Sequence, residues 1–207
     1  MRNKQRVLRL TLAAFFVAIE IVLAVTPLGY IPIGAISITT LHIPVILGGV
    51  LMGPGFGAMV GFVFGMTSMI RATMTPTITS FCFSPFITVR GVSGNFASIV
   101  IALGPRIFLG WFSGALYRQL RKKMKSAGAA SISAGVNTLL HTLLVMGLIW
   151  LFFGDAYAGA AGIAVGAVIL TVLASNGIIE IILAMAVVPA VNRALRPVME
   201  RMGLRNE

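Results

Sequence analysis

Residues Leu41–Arg71, LHIPVILGGVLMGPGFGAMVGFVFGMTSMIR, read as two apolar segments folded back on each other at Gly53-Pro54-Gly55. Proline fixes φ and glycine takes turn angles that other residues resist, so this tripeptide stops one helix and starts the next. Each arm is short for a full crossing, because a bilayer core of about 30 Å needs roughly 20 apolar residues. The hairpin is therefore expected to pack among longer helices. Gly57, Gly61 and Gly65 recur at intervals of four on the second arm and leave a side-chain-free stripe. In lipid, where packing rather than hydrophobicity joins helices, such a stripe lets a neighbouring backbone approach closely. The hairpin is expected to be the packing centre of a small polytopic membrane protein.

The rest of the chain agrees. It has 207 residues, 58% hydrophobic and 10% charged, with a mean hydropathy of +1.00. Soluble domains carry about 25% charged residues, so the composition is that of an integral membrane protein. A single domain, residues 1–207, is expected. No cleavable signal peptide is expected, because the first apolar run is long and ends without a small-residue cleavage motif. The lone Cys82 excludes an intrachain disulfide and reads as a small apolar filler.

A formal charge of +11 suggests nucleic acid until the positions are read. Arg2, Lys4, Arg6 and Arg9 precede the first span. Arg118, Arg121, Lys122, Lys123 and Lys125 form a mid-chain cluster, and Arg193, Arg196, Arg201 and Arg205 follow the last span. Such flanks are cytoplasmic anchors, drawn to anionic headgroups.

Six transmembrane helices are expected, at about residues 7–25, 40–52, 56–70, 96–117, 131–153 and 163–191. An even count puts both termini on one side together with the loop after the fourth span, so all three basic clusters share the cytoplasm. The predicted fold is an all-α integral membrane bundle, N-in and C-in. The segments around residues 27–38, 71–95 and 154–161 then face outward. The second of these contains ATMTPTITSFCFSPF and is long for a connection, which suits a lid or binding surface.

Charges inside spans are costly and default to function. Glu20 lies near the outer end of the first span, and Arg71 and Arg90 border the long outer segment; a Glu20–Arg pair is one expectation. Arg90 is the first candidate for gripping an anion, since a guanidinium offers a planar fork to a carboxylate. Arg106, within the fourth span, reads as a snorkelling or paired residue. His141 lies mid-span, and Asn176 and Glu180, four apart, share a helix face. Glu180, roughly 25 Å below the outer end of its helix, is expected to bond His141 or Asn137 rather than a substrate. Trp111, Trp150 and Tyr157 suit an interface belt, with Trp150 and Tyr157 also able to wall a pocket.

No Gly-x-x-x-x-Gly-Lys-Ser/Thr loop, His-Glu-x-x-His motif or Cys/His cluster occurs, and the acids total five. The chain is therefore expected not to be an enzyme, and neither a metal nor a cofactor is expected on it. A channel would need a filter or a repeated polar face, and neither is visible.

Ala14-Phe15-Phe16-Val17-Ala18 resembles the Ala-x-x-x-Ala motif of the S components of energy-coupling factor (ECF) vitamin transporters. TPLGYIPIG, TTLHIPVILGGVLMGPGFGAMVGFVFGMTS and PTITSFCFSPF strengthen the resemblance, which covers essentially the whole chain and is closest to the pantothenate-type branch. It implies capture of a water-soluble vitamin outside a bacterial cell, most simply pantothenate, with riboflavin, folate or cobalamin as alternatives. It further implies delivery by toppling in the plasma membrane, driven by a scaffold subunit, EcfT, and two ATPase subunits, EcfA and EcfA'. ATP would be used only by those partners. Ala14 and Ala18 would form the scaffold-docking face. The substrate contacts it implies, together with the polar residues above, are Tyr30, Arg71, Arg90, Asn95, His141, Trp150 and Asn176.

Overall fold

The computed structural model describes residues 2–33, 36–162 and 165–204. The chain folds as α1 (Arg2–Val25), a hairpin of β1 (Tyr30–Ile33) and β2 (Ile36–Thr39), α2 (His42–Met52) and α3 (Pro54–Met74). A second hairpin, β3 (Thr88–Val89) with β4 (Val92–Ser93), precedes α4 (Phe96–Arg121) and α5 (Ser126–Ala161). The chain closes with α6 (Val165–Val172), a π-helical turn (Leu173–Gly177) and α7 (Ile178–Arg201). Both hairpins are antiparallel, with Tyr30 opposite Thr39 and Thr88 opposite Ser93.

Among the described residues, five helices are long and apolar enough to cross a membrane, and α2 is a shorter apolar one. The second arm of the central hairpin therefore spans by itself, at 21 residues, contrary to its expected shortness. Of the two arms, only α2 is short, at 11 residues. Gly53, at φ 96°, makes the turn, and Pro54 supplies the first residue of α3, where its missing N–H costs nothing.

The glycine stripe meets α4. A Cβ on Gly57 would strike the Gly110 carbonyl, and one on Gly61 would strike the Arg106 carbonyl. At Gly65 it would lie 2.8 Å from the Ala102 oxygen, and at Gly114 2.7 Å from the Gly49 oxygen. The backbones of α2, α3 and α4 thus touch where any side chain would hold them apart. Around this contact Val45, Ile46, Val60, Phe64 and Leu109 are buried, and α7 closes the core with Ala184 and Val188.

Three expectations change. Residues 154–161 are not a loop: α5 continues to Ala161 through a kink at Phe153 (φ −134°, ψ 18°) and stops at Gly162, φ 74°. The 71–95 segment is not a loose lid. Phe81 and Cys82 are fully buried among Ile101, Val145, Met146, Ile149 and Phe153. Nor is there a Glu20–Arg pair among the described residues: Glu20 is buried, and neither carboxyl oxygen has a hydrogen-bond partner among them. Arg71 instead donates to the Ala24 carbonyl at 3.0 Å, closing the C-terminal turn of α1.

The basic clusters converge on one end of the bundle. Gln5 donates to the Gly203 carbonyl at 3.4 Å, and Leu8 and Leu12 pack on Met199 and Leu204. Arg118 and Arg121 share a cleft there with Arg196.

Candidate functional site

A cavity of about 160 Å³ lies inside the bundle. Its polar wall comes from Thr39 of β2, His42 of α2, Arg106 of α4, His141 and Thr142 of α5, Asn176 of the π turn and Glu180 of α7. Phe64, Val145, Met146 and Val172 supply apolar surface. Small-molecule sites have this makeup, mostly apolar with a few fixed polar groups.

Each polar group is placed by a local feature of the chain. Pro105 has no N–H, so the Ile101 carbonyl loses its helical partner, and the Arg106 Nη1 donates to it at 2.7 Å. The guanidinium is then held between two rings, 5.4 Å from Phe64 and 5.2 Å from Phe83, which the segment between α3 and α4 contributes. His42 is the first residue of α2. Because α2 spans only about 16 Å at 1.5 Å per residue, its start lies deep in the bundle rather than at the surface. The β1–β2 hairpin descends with it. The Thr39 N–H donates to Glu180 Oε1 at 2.7 Å. Glu180 therefore meets the β1–β2 hairpin and not Asn137, whose amide donates to the Ser133 carbonyl at 2.7 Å. The π turn gives α6–α7 one extra residue per turn at Asn176, a deviation found often at functional sites. His141 lies 6.0 Å from the Phe64 ring, and its Nε2, like that of His42, is buried with no hydrogen-bond partner among the described residues.

Of the substrate contacts expected from sequence, the cavity takes in His141 and Asn176. Asn95 is the N-cap of α4, its Oδ1 accepting from the Ala97 N–H at 2.8 Å while its own N–H donates to Ser98 Oγ at 3.0 Å. Arg90 sits at the exposed tip of the β3–β4 hairpin with φ 51°, beside Gly91 at φ 81°. Trp150 is 64% exposed and lines a shallow outer groove with Phe153 and Asp155. Arg71 is the α1 cap described above. Tyr30 begins β1, and its side chain lies outside the described residues. Sequence reading passed over His42 and treated Arg106 as structural. The signals were present, in a proline directly before a mid-span arginine and in an arm too short to reach the surface.

Ala14 and Ala18 lie on the exposed face of α1, beside exposed Leu10, Phe15 and Ile21.

Residues 8–192 match the family described as ECF transporter, substrate-specific component. The chain belongs to this family. The S component is also similar to two proteins along almost their whole length. The pantothenic acid transporter PanT of Lactococcus lactis subsp. cremoris is 33% identical over 195 residues, 93% of this chain and 97% of the relative. The pantothenate transporter PanT of Leuconostoc mesenteroides subsp. mesenteroides is 29% identical over 217 residues, 98% of each. An S component is a transporter subunit rather than an enzyme, and its apolar helices make it a multi-pass membrane protein.

Proposed function

We propose that this S component captures pantothenate in the central cavity. Pantothenate carries a carboxylate, an amide, two hydroxyls and a pair of methyl groups. Arg106 suits the carboxylate, since a guanidinium fixed in direction and stacked between rings is a planar cation whose geometry matches a carboxylate. Asn176 offers amide hydrogen bonds, while His42, His141 and Thr142 suit the hydroxyls. Val145, Met146 and Val172 take the methyls. The observation that carries this reading is Arg106, the single cation facing this polar wall among the described residues, in a chain similar end to end to two pantothenate transporters.

The cavity is smaller than the roughly 300 Å³ and upward of usual ligand clefts, so binding requires the β1–β2 hairpin and the Phe81–Phe83 turn to give way. Both termini and the α4–α5 turn are assigned to the cytoplasm by their cations, which places these two segments outside the cell. The scaffold subunit of an ECF transporter, which bears the paired ATPases, would dock on α1 through Ala14 and Ala18 and topple the loaded subunit. No cofactor is assigned to this chain.

Titration of the purified full chain with pantothenate tests the assignment. Saturable binding of one molecule without any partner is expected. Tight binding of riboflavin, folate or cobalamin with no response to pantothenate overturns it.

A further inference from the structure

At the basic end of the bundle a cleft of about 470 Å³ opens between the ends of α2, α4 and α7. Four cations face it: Arg118 and Arg121 from α4, Lys122 at its C-cap and Arg196 from α7. Glu200 is the one carboxylate on its wall among the described residues. Glu200 is engaged with Arg196, Oε1 to Nε 2.9 Å. Arg118, in the last turn of α4, and Lys122, the residue that caps its C-terminus, are four apart, a like-charge pair that is unfavourable unless an anion lies between or beside them. Compensation of the α4 dipole accounts for cations in that last turn, but not for a second cationic wall arriving from α7.

The floor is fixed. Asn192, 2% exposed, donates to Ser126 Oγ at 2.9 Å, and Ser126 Oγ shares a hydrogen bond with the Tyr117 hydroxyl at 2.8 Å. Three helix ends are thereby tied together around the cleft. Its remaining wall is apolar, from Val50, Leu51 and Met199. The volume exceeds what a bare inorganic anion fills: at about 30 Å³ per water it is room for roughly fifteen waters. A cationic mouth at a membrane–water interface, beside an apolar wall, has the makeup of a site for a phosphodiester headgroup with the first carbons of its chains.

We propose that this cleft binds the phosphate headgroup of an anionic membrane lipid. The site is separate from the vitamin cavity, so pantothenate binding serves as an independent check of folding.

The test compares the full chain in neutral detergent with added phosphatidylglycerol, phosphatidylcholine or inorganic phosphate, read by thermal shift and by native mass spectrometry. Phosphatidylglycerol is expected to raise the melting temperature in a concentration-dependent way and to be retained. The double variant Arg118→Gln/Lys122→Gln is expected to bind it about tenfold more weakly, or worse, as losing charged hydrogen bonds implies. That variant should bind pantothenate as before, and Arg118→Lys should restore part of the lipid effect. Equal stabilisation by the two lipids, or a double variant with undiminished phosphatidylglycerol binding, overturns the proposal. So does an equal shift with inorganic phosphate alone, which assigns the cleft to a soluble anion. Loss of partner-subunit capture by the double variant without any lipid effect assigns it to a protein contact instead. If the double variant also loses pantothenate binding, the single variants Arg118→Gln and Lys122→Gln replace it under the same criteria.

Discussion

Arg106 owes its position to its neighbour in sequence. A proline ten residues into a helix withdraws one hydrogen bond, and the adjacent guanidinium makes it good at the Ile101 carbonyl. That anchors one edge of the fork and leaves it stacked between Phe64 and Phe83. Arg106→Ala is expected to weaken pantothenate binding by about 1.5–3 kcal/mol, the range for a hydrogen bond to a charged group. Arg106→Lys should fall between, keeping charge but losing planarity. Arg90→Ala, at the exposed hairpin tip, should leave affinity unchanged by calorimetry. A loss at Arg90 equal to that at Arg106 would return the carboxylate to the outer segment.

Among the elements, the α3–α4 contact sets the geometry of the site. Gly61 abuts the Arg106 carbonyl itself, so its replacement moves the backbone that carries the guanidinium. Gly61→Ala is expected to lower stability by about 1–3 kcal/mol, as overpacking does, and to weaken ligand binding with it. Gly55 lies on the same helix, but a Cβ there meets nothing within 4 Å. Gly55→Ala should therefore raise stability by roughly 0.5–1 kcal/mol through backbone entropy alone. Thermal unfolding of the two variants side by side separates contact from propensity; a stable Gly61→Ala protein would mean the helices can slide apart freely.

At the scale of the whole molecule, α1 is the helix with the least buried surface, 11% of its apolar window. Its exposed Ala14 and Ala18 make bulk there a test of docking rather than folding. Ala14→Trp or Ala18→Trp is expected to abolish vitamin uptake by cells while leaving ligand binding intact. Loss of both would make these alanines fold residues. Orientation is checked by single cysteines placed in the 122–125 turn or at the 90–91 hairpin tip. Native Cys82 does not interfere, because burial pushes its thiol up to about 12, so at neutral pH it stays protonated and slow to react. Impermeant reagents should label the hairpin tip in intact cells and spare the turn.

Sequence alone was enough for the membrane class, the central hairpin and the glycine stripe, because each is a local property: hydropathy over a span, a tripeptide turn, a period of four. The cations expected to share one side do converge on one end of the bundle. The cavity was decided by tertiary structure. His42, Arg106, His141 and Glu180 come from four helices, and whether each faces lipid or its neighbours depends on helix rotation. Spans that are apolar all round carry no periodicity to fix that rotation. Close backbone contact at Gly57, Gly61 and Gly110 fixes it instead, and the shortness of α2 carries the outer hairpin down to Glu180.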